Sequence, residues 1–287
     1  MQDYTADLGL ADIKLLAVDM DLTLLADDGT MPENMAERIE ALVRAGVVFC
    51  PASGRPVPTL AMAFPESRDI IGLCGDNGGN VQYRGEAVYQ DRLNPALWRE
   101  VAARADAEGD NAQVLCCYDH AVCLERDRAH YDAIFKYYKN IRWVDSYDEV
   151  DDATNKFSMY YPGYDAEPAF RDIYQPEFGE KLYATNAGRE WIDFMNLGVS
   201  KGAGIAHLCE HLGIDIADAA AVGDTYNDIP MLEAVGHSFI VANAEKHMEA
   251  HARFRVPSNN DRGVAALIGV ILVIGLVLHF VRGKANA

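Results

Sequence analysis

Four short segments carry the residues whose types and spacing could do chemistry. Asp19-Met20-Asp21-Leu22-Thr23 sets two carboxylates one residue apart. Such a pair either holds a hard cation through oxygen ligands or divides the work of nucleophile and general acid/base. In Ser53-Gly54-Arg55 a hydroxyl and neighbouring backbone N–H groups can receive a phosphate oxygen, although an ordinary turn would read the same way. Lys201 follows Ser200 at the start of an amphipathic segment, where a cation meets the positive end of a helix dipole. A phosphate, or the aspartates that hold one, would offset it. Gly223-Asp224-Thr225-Tyr226-Asn227-Asp228 adds two carboxylates and a carboxamide. Asp228 also suits a helix N-cap, because Pro230 falls in the first turn. Carboxylates gathered in one place repel one another, so the cluster calls for a divalent cation such as Mg²⁺.

These segments sit where an α/β fold would present them. Ile13 to Val18 is a short apolar run that breaks into Asp19, as expected of a buried parallel strand delivering a polar group at its carboxyl end. Thr30 and Glu33 read as a capping box for a helix carrying Ile39, Leu42 and Val43 on one face and closed by Gly46. Val47 to Cys50 is a second strand leading into Ser53, which completes a βαβ unit. The same grammar returns later: Ser200 caps a helix with Ile205, Leu208, Cys209 and Leu212 in register, and Ala219 to Val222 is a strand ending at Gly223-Asp224. A helix near Ile229 to Val235 and strands at Ser238 to Val241 and Phe254 to Val256 follow. Between these halves mixed strands such as Val114 to Tyr118, Phe157 to Tyr161 and Trp191 to Met195 alternate with polar helices. The expected organisation is an α/β, Rossmann-like parallel-sheet core (1–80 and 197–265), an inserted α+β cap domain (81–196), and an apolar C-terminal helix with a short tail (266–287). Carboxyl ends of parallel strands line the crevice where ligands bind in such sheets.

The chain has 287 residues, half of them hydrophobic, so it can bury a large core. Lys and Arg number 25 against 44 Asp and Glu, a formal charge of -19 that disfavours nucleic acid and anionic lipid as partners. A small phosphate ester is not excluded, because a cation and a few placed basic groups reverse the potential locally. The six cysteines form no C-x-x-C pair and read as buried thiols. No apolar stretch of a secretory signal opens the chain, and a reducing cytoplasm fits both facts. Residues 264–281 are almost free of charge and as a helix would be roughly 27 Å long. They read either as a tail anchor giving membrane association or as a terminal helix packed on the core.

Taken together in this order, DMDLT, SGR, the lysine of VSKGAGIAHL and GDTYND resemble the four motifs of the haloacid dehalogenase superfamily. The likeness is to its Cof-like, subclass IIB phosphatases with a large cap between the second and third motifs, and it spans nearly the whole chain. The resemblance implies a Mg²⁺-dependent phosphatase of sugar phosphates, nucleotides or phosphorylated cofactors. Asp19 would attack phosphorus and form an aspartyl phosphate, while Asp21 protonates the leaving oxygen and then activates water. Ser53 and Lys201, with Gly54 and Arg55, would bind the phosphoryl group. Asp19, the Met20 carbonyl and Asp224 would ligate Mg²⁺, with Asp21, Asn227 and Asp228 completing the metal site. Asn77-Gly78 resembles the family's N-G element at the cap entrance, so Asn77 would touch substrate or order the hinge. Gly79 and the long apolar terminal helix depart from the family pattern. A phosphomutase of the same superfamily, or a non-catalytic membrane-tethered binder of a phosphate ligand, is the alternative. A receiver-type signalling module fits less well, because its phosphate acceptor lies on the third strand of one small domain, whereas Asp19 ends the first.

Overall fold

The computed structural model describes residues 1–163, 165–186 and 189–285, with 275–285 described by their backbone alone. Its strands are β1 (Gln2–Asp3), β2 (Leu15–Asp19), β3 (Val48–Ala52), β4 (Gly72–Gly75), β5 (Asn80–Tyr83), β6 (Glu86–Gln90), β7 (Ala112–Cys117), β8 (Ala121–Leu124), β9 (Ile141–Val144), β10 (Thr154–Tyr160), β11 (Leu182–Asn186), β12 (Trp191–Asn196), β13 (Ala219–Gly223), β14 (His237–Val241) and β15 (Phe254–Val256). One sheet has the order β1-β15-β14-β13-β2-β3-β4-β5-β6 and the other β11-β12-β10-β7-β8-β9.

The first sheet is parallel from β1 to β4, and β5 and β6 extend it as an antiparallel hairpin. Its central strand shows why the sequence folds this way. Side chains alternate between faces along a strand, and β2 is apolar on both, as a doubly covered parallel strand must be. Leu16 and Val18 pack with Ile39 and Leu42 of the helix Met35–Arg44. Leu15 and Ala17 pack with Ile205 and Leu208 of the helix Lys201–Leu212. The chain builds outward from β2 through β3 and β4, and later returns to lay β13 on the other side of β2. The strand order therefore reverses between β2 and β13, and a crevice opens at their carboxyl ends.

The second sheet is antiparallel apart from the β8–β9 pair. Trp98, Val101 and Ala105 of the helix Pro95–Glu108 cover one face together with Tyr174 and Phe178. Ile134, Tyr138, Tyr160 and Trp191 form a smaller cluster elsewhere on the sheet. The aromatic residues of this segment are thus largely core. All six cysteines are buried and free.

Three local readings change. The chain leaves the first sheet after Gln90 rather than near residue 81, because Arg84 and Gly85 both take positive φ (52° and 81°) and turn β5 back into β6. The helix expected from Thr30 starts at Met35 instead, behind Asn34 in the left-handed region. Thr30 is held by Asp28, and Glu33 pairs with Arg262, so neither side chain closes a capping box.

The third change concerns residues 264–281. Among the described residues no helix is long and apolar enough to cross a membrane, which overturns the expectation of a membrane anchor. The last helix runs Gly263–Ala285, and Val264, Leu267, Ile268 and Ile271 lie in the same core as Ile39, Leu42 and Phe49. Val270, Leu272 and Ile274 pack against that core from its margin, which widens the apolar face beyond one stripe, while Val273 is exposed. Residues 275–281 of the expected span lie outside the residues whose side chains are described. Leu267→Ala and Ile268→Ala should each destabilise the fold by about 3 kcal/mol, the usual cost of emptying a close-packed site. Urea unfolding checks this; an unchanged midpoint would detach the helix from the core.

Candidate active site

The alternation along β2 puts Asp19 on the face shared by Leu15 and Ala17, toward the helix Lys201–Leu212. Asp19 is 6% exposed and Lys201 1%. The Lys201 ammonium donates to Asp19 Oδ1 and to Asp228 Oδ1, both at 2.6 Å. The cation that sits awkwardly at a helix N-terminus is thereby answered by two carboxylates. Ser200 caps this helix as expected, accepting from the Ala203 N–H. Close approach does the rest. A Cβ on Gly202 would lie 2.3 Å from the Pro230 carbonyl, and one on Gly223 would lie 2.5 Å from Asp228 Cβ.

Asp228 does not cap its own helix. Its Oδ2 accepts from the Asp224 and Thr225 N–H groups at 2.9 and 3.1 Å, which folds the strand-end loop back and brings Asp224 alongside. Asp224 Oδ1 accepts from the Thr23 hydroxyl at 2.9 Å. Asp19, Asp224 and Asp228 then each offer an oxygen within 4.8 Å of the others. An all-oxygen, anionic, buried set of this kind fits a hard divalent cation. Asp21 and Asn227 stand outside this trio, and the Met20 carbonyl accepts from the Leu25 N–H.

Burial drives the electrostatics. It pushes the Asp19 carboxyl well above the usual carboxylate range, with Lys201 opposing and the Asp228 and Asp224 charges adding. It also pushes Asp224 up to about 6, with the Asp228 charge next in effect. Burial alone would lower the Lys201 pKa, but the two carboxylates hold it above its ordinary value.

The remaining expected residues gather at the same strand ends. Ser53 is buried at the end of β3, and its Oγ accepts from the Arg55 N–H at 3.1 Å. The Arg55 guanidinium makes a two-pronged contact with Asp21, at 2.5 and 3.1 Å. Asn77 has φ 53° and accepts at Oδ1 from the Asn227 side chain at 3.2 Å, directly beside Gly54. Leu22, the residue after Asp21, has φ 60°, an uncommon conformation for a bulky side chain, and the Asn243 side chain bonds its carbonyl.

Sequence reasoning missed Asp76, Asn155, Lys156 and Asp193. Lys156 and Asp193 come from the second sheet, yet the Lys156 ammonium reaches the Gly54 carbonyl at 2.8 Å. No local sequence signal marked Lys156, which sits beside Phe157 in a strand that the structure buries along its whole length.

Comparisons with known proteins give the chain's family and fold. A family model described as haloacid dehalogenase-like hydrolase matches residues 16–268. The 5-amino-6-(5-phospho-D-ribitylamino)uracil phosphatase YbjI of Escherichia coli (strain K12) is 30% identical over 262 residues, covering 91% of this chain and 96% of the relative. SMU.1108c of Streptococcus mutans UA159 has the same fold, with a TM-score of 0.81 at 21% identity over 91% of this chain and 99% of its own. So does the subclass IIB sugar phosphatase BT4131, with a TM-score of 0.76 at 19% identity over 89% and 98%.

The raised Asp224 pKa sets a sign. Its folded value of about 6 lies above the ordinary 3.8, so folding takes up a proton between those values. The group weakens the metal-free fold above pH 6, and the penalty disappears as the pH falls to about 4. Asp224→Asn should stabilise the metal-free protein by about 3 kcal/mol at pH 7.5 and by little at pH 4. Thermal unfolding in EDTA at the two pH values measures it.

Proposed function

The chain belongs to the haloacid dehalogenase-like hydrolase family, and on that premise we propose that it is a Mg²⁺-dependent phosphatase of small phosphate monoesters, with Asp19 as nucleophile. The observation that carries this reading is the Asp19–Lys201–Asp228 contact beside Asp224 at the point where the strand order reverses.

Lys201 occupies one oxygen of Asp19 and leaves the other to attack phosphorus in line with the leaving oxygen. The P–O bond to the alcohol breaks as the Asp19–phosphorus bond forms, and Asp21 gives the departing alkoxide its proton. Water then attacks the aspartyl phosphate, with Asp21 taking the proton back, and carboxylate and inorganic phosphate are regenerated. Arg55 holds both Asp21 oxygens, so Asp21 takes up its acid role once Arg55 turns to the incoming phosphate. The Ser53 hydroxyl and the Lys201 ammonium hold the phosphoryl oxygens, because catalysis of this reaction is mostly positioning and charge neutralisation. Asp19, Asp224 and Asp228 would hold the Mg²⁺ together with the Met20 carbonyl, with Asn227 orienting the loop. When bound, the ion supplies Lewis-acid stabilisation of the charge on the transferring group.

The E. coli relative's name and the sugar phosphatase neighbour support a phosphorylated polyol or sugar as the substrate class. Phosphate release is measured from 5-amino-6-(5-phospho-D-ribitylamino)uracil, hexose and pentose phosphates, nucleotides and phosphorylated cofactors, with and without Mg²⁺. Release should require the metal and fall by at least about a thousandfold in Asp19→Asn, which keeps volume and removes the nucleophile. Retained release in that variant would remove Asp19 from its role. Transfer to a second sugar hydroxyl without release would favour the mutase instead.

A further inference from the structure

The second sheet reaches into the phosphate-binding turn through one side chain. Lys156 lies on β10, 1% exposed, and its ammonium has three neighbours. It donates to the Gly54 carbonyl at 2.8 Å and to Asp193 Oδ2 at 3.1 Å, and it stands 3.6 Å from Asp76 Oδ1. Two of the three ammonium N–H bonds are used on the Gly54 carbonyl and Asp193, and the Asp76 charge stands just beyond hydrogen-bond reach. The carboxylates are themselves tied down: Asp193 Oδ1 accepts from the Ser158 hydroxyl at 2.6 Å, and Asp76 Oδ2 from the Asn155 amide at 2.8 Å.

Stability alone does not explain the arrangement. Burying an ion pair costs desolvation energy that its attraction scarcely returns, and apolar residues of the same size usually do as well. What an apolar pair could not do is hold a carbonyl. The turn Ser53-Gly54-Arg55 has its other two carbonyls engaged by backbone, Ser53 by the Asn77 N–H and Arg55 by the Asp76 N–H, both at 3.0 Å. The Gly54 carbonyl is the one that needs Lys156.

That carbonyl belongs to the Gly54–Arg55 peptide. In a planar trans peptide the C=O and N–H point in opposite directions, so fixing the oxygen fixes the Arg55 N–H. The Arg55 N–H donates to Ser53 Oγ at 3.1 Å. With Oγ acting as acceptor there, the Ser53 O–H is left to donate elsewhere, which is the role a phosphate oxygen needs filled. A positive charge on the carbonyl also polarises the peptide and strengthens its N–H as a donor.

We propose that Lys156 is a positioning residue for the phosphoryl site, acting through the Gly54–Arg55 peptide to hold the Ser53 hydroxyl as a phosphate donor. The inference rests on the phosphatase reading only in taking Ser53 to bind phosphate. It makes the second sheet part of the machinery for the reaction, in addition to anything that sheet does in choosing substrates.

The test is a double-mutant cycle of Lys156→Met and Ser53→Ala, read by inorganic phosphate affinity in calorimetry with saturating Mg²⁺ and by kcat and KM for an ester that the wild type hydrolyses. Each single change should weaken phosphate about tenfold, and the double variant should lose no more than the singles, because both remove one donor. A lysine that only holds the fold together would give multiplied losses near a hundredfold, and that result overturns the proposal. Should Lys156→Met fail to fold, Lys156→Met with Asp193→Asn removes the pair together and enters the same cycle. Phosphate binding that couples without ester turnover sinks the phosphatase reading and leaves this one standing. Turnover with an uncoupled cycle does the reverse, and a wild type that binds no phosphate removes both.

Discussion

One buried ammonium bridges two carboxylates, one of which draws in a third, in a space that would otherwise drive them apart. Lys201 spans Asp19 and Asp228 at 2.6 Å each, and Asp228 draws Asp224 in through two backbone N–H groups. The rest of the core can be read as the means of bringing these groups together. The parallel strands β2 and β13 end together, because Val18 and Val222 are register partners, so Asp19 comes level with Gly223 and Asp224 follows one residue on. The missing Cβ atoms of Gly202 and Gly223 let a helix and a loop close to backbone contact around them. The unfavourable placement of Lys201 at a helix N-terminus is tolerated because two carboxylates surround it.

Much of this was legible in the sequence, for a physical reason. A buried strand has no cause to end in an acid unless the acid is used, so LLAV followed by Asp19 and AAAV followed by Gly223-Asp224 announce themselves. Lys201 is legible through its mismatch with the dipole. The hairpin β5–β6 was hidden because its turn is Arg84-Gly85, and an arginine at positive φ is not the Asn-Gly or Asp-Gly signal that marks such turns. The capping box at Thr30 failed because a local Asp28 competes for the same hydroxyl and N–H. Apolarity over 264–281 was ambiguous in principle, since a helix wedged into a core and a helix in lipid need the same side chains.

Lys156 shows where sequence reading stops. A lysine in a strand ordinarily points to water, and its partner Asp193 is 37 residues away. Nothing local marks either one. The pairing exists only because β10 and β12 are neighbours and the second sheet abuts the loops after β3 and β4. Burial would lower the Lys156 pKa, but Asp193 and the groups around it hold the pKa well above its ordinary value, so the ammonium stays charged where it meets the Gly54 carbonyl. Long-range charge pairs of this kind are invisible to motif and periodicity alike.

The chain's formal charge of -19 and an anionic substrate are reconciled at the site itself. With Asp19, Asp224 and Asp228 ionised against Lys201, the cluster carries two negative charges in excess, and Arg55 is neutralised by Asp21. A phosphate dianion entering that field meets repulsion from every side. Burial raises the pKa values of Asp19 and Asp224 first, and the repulsion among the carboxylates adds to it. A divalent cation held where the carboxylates converge would cancel the excess. Under the phosphatase reading the order of events then follows from charge alone: cation first, which lowers the cost of ionising the cluster, and the ester second, drawn by a site that has ceased to repel it.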